Sequence, residues 1–514
     1  MIEFTNTKIL DFSFESNKEK MVNAIKNLES KFGKEYPSYI GGKEIMCSEK
    51  FMTTSPAEPD QIIGVFQSPD NEYANKAIET AYKKFQEWQY TEPEERAGYL
   101  FKAANILRKR RFEMNACMVI EVGKSWIEAD ADTAEAIDFL EFYAREMLRY
   151  SERQPVTPYP GEENYLKYIP LGVGVVIPPW NFPCAILIGM SSAAIVTGNT
   201  VVLKPSSDSP LTGHIFYEIM AEAGLPDGVL NFLPGKGSTI GNTLVEHHLT
   251  RFISFTGSKE VGLGIVEKAG KTKPEQKWIK RVVAEMGGKD TIIVDDEADL
   301  DDAALNVCAS AFGFQGQKCS ACSRVIVDTK VYDTFIEKLI PYVKKIKVGQ
   351  TKNPDFYMGP VINEAALKSI INYIEIGKKE GELILGGNPV GENGYFLEPT
   401  VIKDIDPMAT ISQEEIFGPV LAIIKSKDYE DALKIANNTE YGLTGSVYTK
   451  NRRKIEEAKK KFFVGNLYLN RKCTGALVGV HPFGGFNMSG TDSKAGGRDY
   501  LALFMQAKCW SEKF

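Results

Sequence analysis

The sequence lacks the features that mark membrane-spanning, secreted and nucleic-acid-binding proteins. Its most apolar stretch, residues 171–203, is interrupted by three prolines and an asparagine, and its clean part is shorter than the roughly 20 residues of a membrane span. The N-terminus has no basic segment followed by an apolar one, so no signal peptide is expected. Lys and Arg number 61 against 68 Asp and Glu, so the net charge of −7 gives no basic field for phosphate backbones. We therefore expect neither a membrane nor a nucleic-acid partner.

Cysteine and histidine are also scarce. Eight cysteines in 514 residues are too thinly spread for a disulfide framework, and they predict a reducing, cytoplasmic compartment. Zinc is not predicted, because Cys319-x-x-Cys322 has no second such pair and none of the four histidines lies near it. With so few histidines, a carboxylate is the expected general base.

The composition and patterning predict a globular α/β protein. The chain is 43% hydrophobic and 25% charged, and its length suggests about three domains. Residues 72–150 read as helical, and the proline-rich residues 155–160 read as a linker. From Tyr165 onward, β-branched runs alternate with helical patterns, which predicts two successive α/β domains with parallel sheets. The predicted strands are Val173–Ile177, Thr200–Leu203, Val229–Leu233, Phe252–Phe255, Thr291–Val294, Ser323–Val327, Leu383–Leu385, Val420–Ile424 and Gly445–Tyr448. The predicted helices between them include Leu211–Ala223, Ser238–His247 and Leu300–Phe312.

Two glycine-containing turns follow predicted strands and open predicted helices. They span residues 235–241 and 255–262. Glycine lets the backbone approach an anion held at a helix N-terminus. Each turn alone is equally typical of a plain strand-to-helix connection. Two in succession favour a dinucleotide site.

Three further segments carry reactive or polar groups. Prolines on both sides hold Asn181 stiffly, as an oxyanion donor or as a capping residue in a proline-rich loop. Cys319 follows Lys318, which favours the reactive thiolate. Cys319 and Cys322 could instead form a redox pair, with a buried free thiol as the plainer interpretation of Cys322. Glu285 precedes a Gly-Gly turn beside apolar residues, where a raised pKa would suit a base, although a surface carboxylate is the ordinary alternative.

These segments and the acidic turn at 414–419, in this order, resemble the aldehyde dehydrogenase superfamily from about residue 40 to the C-terminus. The resemblance implies that Cys319 is the nucleophile, that Asn181 and the Cys319 backbone N–H form the oxyanion hole, and that Glu285 activates the deacylating water. It also implies a set of residues around the cofactor. These are Lys204 and Glu415 at the riboses, Gly257, Ser258 and Gly262 at the pyrophosphate, Trp180 and Phe417 packed nearby, and Ser207 and Gly237 along the same site.

The implied chemistry suits these residue types. Thiolate attack on an aldehyde gives a thiohemiacetal, hydride transfer to the nicotinamide gives a thioester, and water releases the carboxylic acid. Superfamily members that transfer the acyl group to coenzyme A lack the carboxylate found here at Glu285, so hydrolysis is expected. A catalytically silent relative is the alternative from another class, and the intact set of Cys319, Glu285 and Asn181 speaks against it.

The resemblance also implies a three-part architecture. We expect a Rossmann-like NAD(P)-binding domain over residues 1–148 and 168–287, and an α/β catalytic domain over 288–488. The third part is a small β oligomerisation arm over residues 149–167 and 489–514, which predicts that the protein is a homo-oligomer.

Residues 316–324, 470–479 and 481–490 resemble the superfamily members that oxidise L-glutamate γ-semialdehyde to L-glutamate in proline and arginine breakdown. By that resemblance the α-carboxylate is bound by Ser320 and by backbone N–H groups of Gly475 and Ala476. Phe182 and Phe483 would sandwich the aliphatic stem. Glu135 would meet the α-ammonium, although a surface salt bridge is equally consistent with its helix face. The alternative substrate is another semialdehyde, such as succinate semialdehyde.

One position departs from the pattern of NAD-selective relatives. These often carry Glu three residues after the lysine at position 204, where it repels a 2′-phosphate, and here that position is Ser207. We therefore expect NAD to be preferred and NADP to be accepted as well.

Overall fold

Two seven-stranded sheets organise the residues that the computed structural model describes, 3–391 and 393–514. The α-helices are α1 Glu15–Glu29, α2 Asn71–Trp88, α3 Pro93–Lys109, α4 Arg111–Val122, α5 Trp126–Ser151, α6 Ala185–Val196, α7 Pro210–Glu222, α8 Asn242–Glu246, α9 Lys259–Gly270, α10 Leu300–Phe312, α11 Tyr332–Lys344, α12 Glu364–Glu380, α13 Thr410–Gln413, α14 Tyr429–Asn437 and α15 Arg452–Lys461. The strands before residue 295 are β1 Lys34–Tyr36, β2 Ser38–Ile40, β3 Lys43–Ile45, β4 Lys50–Ser55, β5 Glu58–Gln67, β6 Glu162–Pro170, β7 Val173–Ile177, β8 Thr200–Leu203, β9 Leu230–Phe232, β10 Thr250–Thr256, β11 Arg281–Glu285 and β12 Asp290–Val294. The later strands are β13 Cys322–Asp328, β14 Glu382–Leu385, β15 Thr400–Lys403, β16 Val420–Ser426, β17 Tyr441–Gly442, β18 Thr444–Tyr448, β19 Asn466–Leu469, β20 Phe486–Asn487 and β21 Met505–Lys513.

The first large sheet has the order β11-β10-β7-β8-β9-β2-β3. Strands β11 to β9 are parallel, as the alternation of strands and helices predicts. Strands β2 and β3 pair antiparallel at one edge, which the sequence pattern did not predict. The predicted helix at 238–247 is also partly wrong, because a π turn at Gly237–Gly241 precedes the short α8.

The second large sheet has the order β14-β15-β16-β13-β12-β18-β19. All its pairs are parallel except β14 with β15. The predicted strands at 291–294, 323–327 and 445–448 lie within β12, β13 and β18, the centre of this sheet. Strand β11 was not predicted, and it brings Glu285 to its C-terminal end.

Helix α5 runs for 26 residues. Ser125 caps its N-terminus by accepting the Glu128 backbone N–H at 3.4 Å. Its buried face packs on α3, α4 and α6. Acidic side chains on that face lie near the reaction centre described below.

A two-stranded antiparallel ribbon of β6 and β21 lies apart from both large sheets. Residues after Met505 in β21 are exposed, and Trp510 stacks on Tyr165 with ring centroids 5.3 Å apart. None of the helices described in residues 3–391 and 393–514 is both long and apolar enough to cross a bilayer.

Candidate active site

A cavity of about 1040 Å³ lies where the polypeptide leaves β7, β8, β10 and β11. The carboxyl ends of parallel strands are the usual ligand-binding edge of such a sheet. Ten of the predicted site residues line this cavity: Trp180, Asn181, Lys204, Ser207, Gly237, Gly257, Ser258, Cys319, Glu415 and Phe417.

Two ionisable side chains of the cavity, the buried Lys204 and the half-buried Glu415, lack a full complement of hydrogen-bond partners. Lys204 follows β8 and is 5% exposed, and within residues 3–391 and 393–514 its Nζ reaches only the Pro205 carbonyl oxygen, at 3.3 Å. Burial lowers the pKa of Lys204 to about 8. Burial raises the pKa of Glu415 to about 7, and one oxygen of Glu415 accepts the Gly288 N–H at 3.1 Å. Both groups can still bond hydroxyls, so they fit the two sugars of a dinucleotide.

The two glycine-containing turns differ in whether their glycines face the cavity or pack against neighbouring side chains. A Cβ on Gly237 would meet no described atom within 4 Å, so this backbone is open to a ligand. Gly262 does not line the cavity, because its α-carbon packs against β11, where a Cβ would lie 2.5 Å from Met286 Sδ. Ser258 caps α9 by accepting the Val261 N–H at 3.4 Å. Helix α9 therefore points its N-terminus at the cavity, where a phosphate would be stabilised.

Cys319 lies on a strained connection between α10 and β13. Phe314 and Gln315 have φ values of 49° and 58°, in the left-handed region that costs non-glycine residues energy. The Gln315 side chain secures this turn by donating to the carbonyl oxygens of Gly123 at 3.1 Å and Pro360 at 2.8 Å. The strain is thus offset by buried hydrogen bonds, and the thiol reaches the cavity.

The expected activation of Cys319 by Lys318 is wrong. The Lys318 ammonium pairs with both oxygens of Glu128, at 2.7 and 2.8 Å. Burial, with the carboxylates of Asp290 and Glu415 adding to it, raises the pKa of the Cys319 thiol well above its usual range. A thiol with a raised pKa needs a base to remove its proton before it can attack a carbonyl carbon.

Asn181 is held for donation to an oxygen beside Cys319. It lies between β7 and α6 and is 4% exposed. Its Nδ2 donates to the Gln317 carbonyl oxygen at 3.0 Å, which ties it to the residue two before the nucleophile. An amide nitrogen carries two hydrogens, so the second can serve an oxyanion.

Glu285 is the last residue of β11, and residues 485 and 493, near the C-terminus, hold its carboxylate. Ser493 Oγ donates to one carboxylate oxygen, and the Gly485 N–H donates to the other at 3.3 Å. Burial raises the pKa of Glu285 to about 8, while these hydrogen bonds and the Lys494 charge oppose the rise. A carboxylate with this pKa is a competent base near neutral pH.

On the other side of the nucleophile, α5 presents a row of three acidic side chains, which we call the acidic row: Glu128, Asp132 and Glu135. Their spacing of four and three residues puts them on one helix face. Glu128 pairs with Lys318, and Asp132 pairs with Lys124 at 2.8 Å, with both members of the latter pair fully buried. Glu135 has no hydrogen bond or ion pair within residues 3–391 and 393–514, and burial, followed by the Asp132 charge, raises its pKa to about 8.

Sequence reasoning missed Lys124, Asp132 and Glu128. The available signal was an acidic residue at each of three helically spaced positions on an otherwise apolar face. The surface salt bridge considered for Glu135 is not formed, because this half-buried side chain has no cationic partner in the part of the chain that the structure describes.

The remaining predicted substrate residues lie outside the lining of the large cavity. Cys473 Sγ donates to the Ser320 carbonyl oxygen at 3.4 Å, so the loop carrying Gly475 and Ala476 lies against the nucleophile loop. Gly475 has a φ of +77°. Phe483 pairs through its backbone with Ala495 at 2.8 Å, in the segment that leads to Gly485 beside Glu285.

Phe182 lies next to Asn181, with its ring 4.0 Å from Lys124 Nζ. Cys322 is buried and donates to the Arg324 carbonyl oxygen at 3.4 Å, the arrangement of a structural thiol.

One further carboxylate cluster lies away from this site. Asp295, Asp296 and Asp328 bring their oxygens close enough to hold a cation. Lys454 Nζ contacts Asp295 at 2.7 Å and Asp296 at 2.9 Å, and Lys330 also pairs with Asp296. The protein's own lysines therefore compensate the cluster's charge.

The fold and the site match a known protein class. Residues 45–510 match the model of the aldehyde dehydrogenase family. The chain belongs to the aldehyde dehydrogenase family.

Its similar proteins share a more specific name. It is 55% identical over 511 residues, 99% of each chain, to 1-pyrroline-5-carboxylate dehydrogenase of Geobacillus sp. (strain WCH70). It is 54% identical over 513 residues, 100% of each chain, to the protein of the same name in Bacillus subtilis (strain 168). A crystal structure of the 1-pyrroline-5-carboxylate dehydrogenase from Thermus with bound NAD matches all of both chains at 48% identity and a TM-score of 0.99.

Proposed function

We propose that this protein oxidises L-glutamate γ-semialdehyde, derived from 1-pyrroline-5-carboxylate, to L-glutamate with NAD. The observation that carries the proposal is that Cys319 and Asn181 line a dinucleotide-sized cavity, while Glu285 lies close enough to Cys319 for its charge to raise the pKa of the thiol. The name shared by the full-length relatives supports the substrate. The reaction belongs to the breakdown of proline and arginine.

The first step joins the Cys319 sulfur to the aldehyde carbon. Glu285 is the base that accepts the thiol proton, because Lys318 is committed to Glu128. The aldehyde oxygen becomes an oxyanion, which the Asn181 amide and the Cys319 backbone N–H stabilise. The product of this step is a thiohemiacetal.

The second step needs a hydride acceptor next to the adduct, and NAD, when bound, supplies it. Lys204 and Glu415 hold the ribose hydroxyls, and Gly257, Ser258 and the α9 N-terminus receive the pyrophosphate. Gly237, Trp180 and Phe417 line the same path, with the Trp180 and Phe417 rings edge to face at 5.6 Å. Gly262 supports this site by close packing of α9 on β11.

The last step releases the acid. Glu285 first releases the thiol proton to solvent and then takes a proton from water. The resulting hydroxide attacks the thioester carbon, and the Cys319 thiolate leaves and recovers a proton from Glu285. The carboxylate at Glu285 therefore favours hydrolysis over acyl transfer.

Charge complementarity selects the substrate. Glu135 is the one member of the acidic row without a cationic partner, so it binds the substrate's α-ammonium. Ser320 and the backbone N–H groups of Gly475 and Ala476 bind the α-carboxylate. Phe182 and Phe483 flank the aliphatic stem.

The cofactor preference follows from Ser207. Its Oγ donates to the Gly235 carbonyl oxygen at 3.3 Å and places no charge in the cavity. We infer that NAD is preferred and that NADP is also accepted.

The chain acts in the cytoplasm as a homo-oligomer. Each subunit has three parts: an NAD(P)-binding domain over residues 1–148 and 168–287, a catalytic domain over 288–488, and an oligomerisation arm over 149–167 and 489–514. The eight free thiols fit a reducing compartment. The ribbon of β6 and β21 exposes a strand edge and the Trp510 ring, which fits a contact with a second copy. We expect deletion of residues 505–514 to lower the sedimentation mass, whereas an unchanged mass would exclude this arm from assembly.

A steady-state NADH absorbance assay tests the proposed function. We expect wild type to oxidise glutamate γ-semialdehyde with a higher kcat/KM than succinate semialdehyde, and Cys319→Ala to lose at least about 10⁴-fold in kcat. Cys322→Ser is the matched thiol control and should keep nearly full activity. A preference for succinate semialdehyde would refute the substrate, and an inactive Cys322→Ser would favour a redox pair.

A further inference from the structure

Lys124 is a buried cation that touches neither the cavity lining nor the reacting thiol directly. Helix α4 ends at Val122, Gly123 follows with a φ of +70°, and Lys124 begins the turn into α5. The side chains of Lys124 and its partner Asp132 are both 0% exposed, with 2.8 Å between Nζ and Oδ2. Burying an ammonium is costly even when it is paired, so its position calls for a reason.

The Lys124 ammonium also lies over two aromatic rings. Its Nζ is 4.0 Å from the centroid of the Phe182 ring and 4.7 Å from that of Phe314. Cations within about 6 Å of a ring face are attracted to it, more strongly when water is excluded. Phe182 adjoins the oxyanion donor Asn181, whereas Phe314 opens the strained segment that leads to Cys319.

Hydrogen bonds tie one loop to Asp132 and the other to Gly123, the residue before Lys124. Asp132 Oδ1 accepts the Ala185 N–H at 2.6 Å, which anchors the end of the loop that carries Asn181. The carbonyl oxygen of Gly123, next to Lys124, accepts the Gln315 side chain at 3.1 Å in the nucleophile loop. The Lys124–Asp132 ion pair thus contacts both the loop that carries Asn181 and the loop that carries Cys319.

We propose that Lys124, with Asp132, is a positioning residue that sets the Asn181 amide relative to the Cys319 sulfur. Oxyanion stabilisation depends on donor placement within a few tenths of an ångström, and two separate loops must be held together to achieve this. The inference rests on the roles proposed above for Asn181 and Cys319, but not on the identity of the aldehyde.

A double-mutant cycle between Lys124→Met and Asn181→Ala tests this. The substrate is glutamate γ-semialdehyde or, if wild type does not oxidise it, whichever of succinate semialdehyde and propanal is oxidised faster. Lys124→Met keeps the side-chain length and removes the charge. We expect it to lower kcat/KM by about tenfold or more alone, but by less than about twofold when Asn181 is already alanine. Lys124→Arg, which keeps a cation over both rings, should recover most of the loss.

The matched control is Asp130→Asn on the same helix. Asp130 is fully buried and pairs with Arg111 at 2.6 Å, without contact to either catalytic loop. We expect thermal unfolding to show a comparable loss of stability, with kcat/KM within about twofold of wild type. If Lys124→Met does not fold, Asp132→Asn carries the same cycle, with an expected loss of about fivefold that again disappears in the Asn181→Ala background.

Equal losses in both Asn181 backgrounds, or a loss no larger than that of Asp130→Asn, would overturn the positioning role. A wild type that leaves glutamate γ-semialdehyde unoxidised, while the cycle holds with another aldehyde, would refute the proposed substrate and leave the positioning role intact.

Discussion

The charged side chains on the two sides of Cys319 differ in whether they are paired within the chain. On the cofactor side, Lys204 and Glu415 face an open cavity of about 1040 Å³ and keep unused hydrogen-bonding capacity. On the substrate side, two members of the acidic row are neutralised by lysines at 2.7 to 2.8 Å, and only Glu135 is unpaired.

The difference separates binding groups from supporting groups. A buried charge that lacks a partner destabilises the empty protein, so it persists where a ligand supplies the partner. A buried charge that is paired within the chain fixes the geometry around it. By this criterion we expect Lys204, Glu415 and Glu135 to be binding groups and Glu128 and Asp132 to support the site.

The largest expected effect is at Glu285, between the two sides. Glu285→Gln should lower the steady-state rate by about 10²- to 10⁴-fold, because deacylation loses its base. In wild type the base works when deprotonated, so the rate should rise with pH through about 8, the raised pKa of Glu285. Rapid-mixing and pH-rate measurements check this, and the variant should show a flatter pH profile and no initial burst of NADH, because Glu285 also accepts the Cys319 thiol proton before hydride transfer. An unchanged profile would remove Glu285 from the mechanism.

Glu135→Gln sharpens the comparison directly. We expect kcat/KM for glutamate γ-semialdehyde to fall by about 10- to 100-fold, the worth of a hydrogen-bonded charge. Glutarate semialdehyde, which lacks the α-ammonium, should be nearly unaffected and serves as the matched substrate. Equal losses with both substrates would place the ammonium elsewhere.

The same variant also has a stability signature. The folded pKa of Glu135 is raised above its unfolded value of 4.5, to about 8, so the ionised group destabilises the fold progressively as pH rises from about 4.5 to about 8. Glu135→Gln should therefore raise the unfolding temperature more at pH 9 than at pH 5. Glu128→Gln, which breaks a pair, should lower it at neutral pH.

The smallest expected effect concerns the cofactor side. Ser207→Glu should lower kcat/KM with NADP by about tenfold and change the value with NAD by less than about threefold, because a carboxylate repels a 2′-phosphate. Parallel assays with both cofactors check this. A wild type without measurable NADP activity would contradict the role given to Ser207, and Asp208, which lines the same cavity, would become the discriminating carboxylate.

The cofactor side was largely predictable from the sequence. Lys204 and Gly257 directly follow the parallel strands β8 and β10, and a strand, a turn and a helix leave a local pattern. Most predicted strands were confirmed to within two residues, whereas the antiparallel edge of β2 and β3 and the strand β11 were missed.

The substrate side was harder because its contacts join distant segments. Glu128 meets Lys318 across 190 residues, and Ser493 meets Glu285 across 208. No local pattern distinguishes these partners from solvated charges.

The sequence by itself therefore predicted most of the strands and turns that form the two large sheets, the residue types at the strand ends, and a candidate nucleophile with its donor. Only the tertiary structure decided which charges are paired. It pairs Lys318 with Glu128 rather than placing it at the thiol, and it leaves Glu135 without an ion pair within residues 3–391 and 393–514. The physical reason is that pairing depends on burial and on distances of a few ångströms, which exist only after separate segments have packed together.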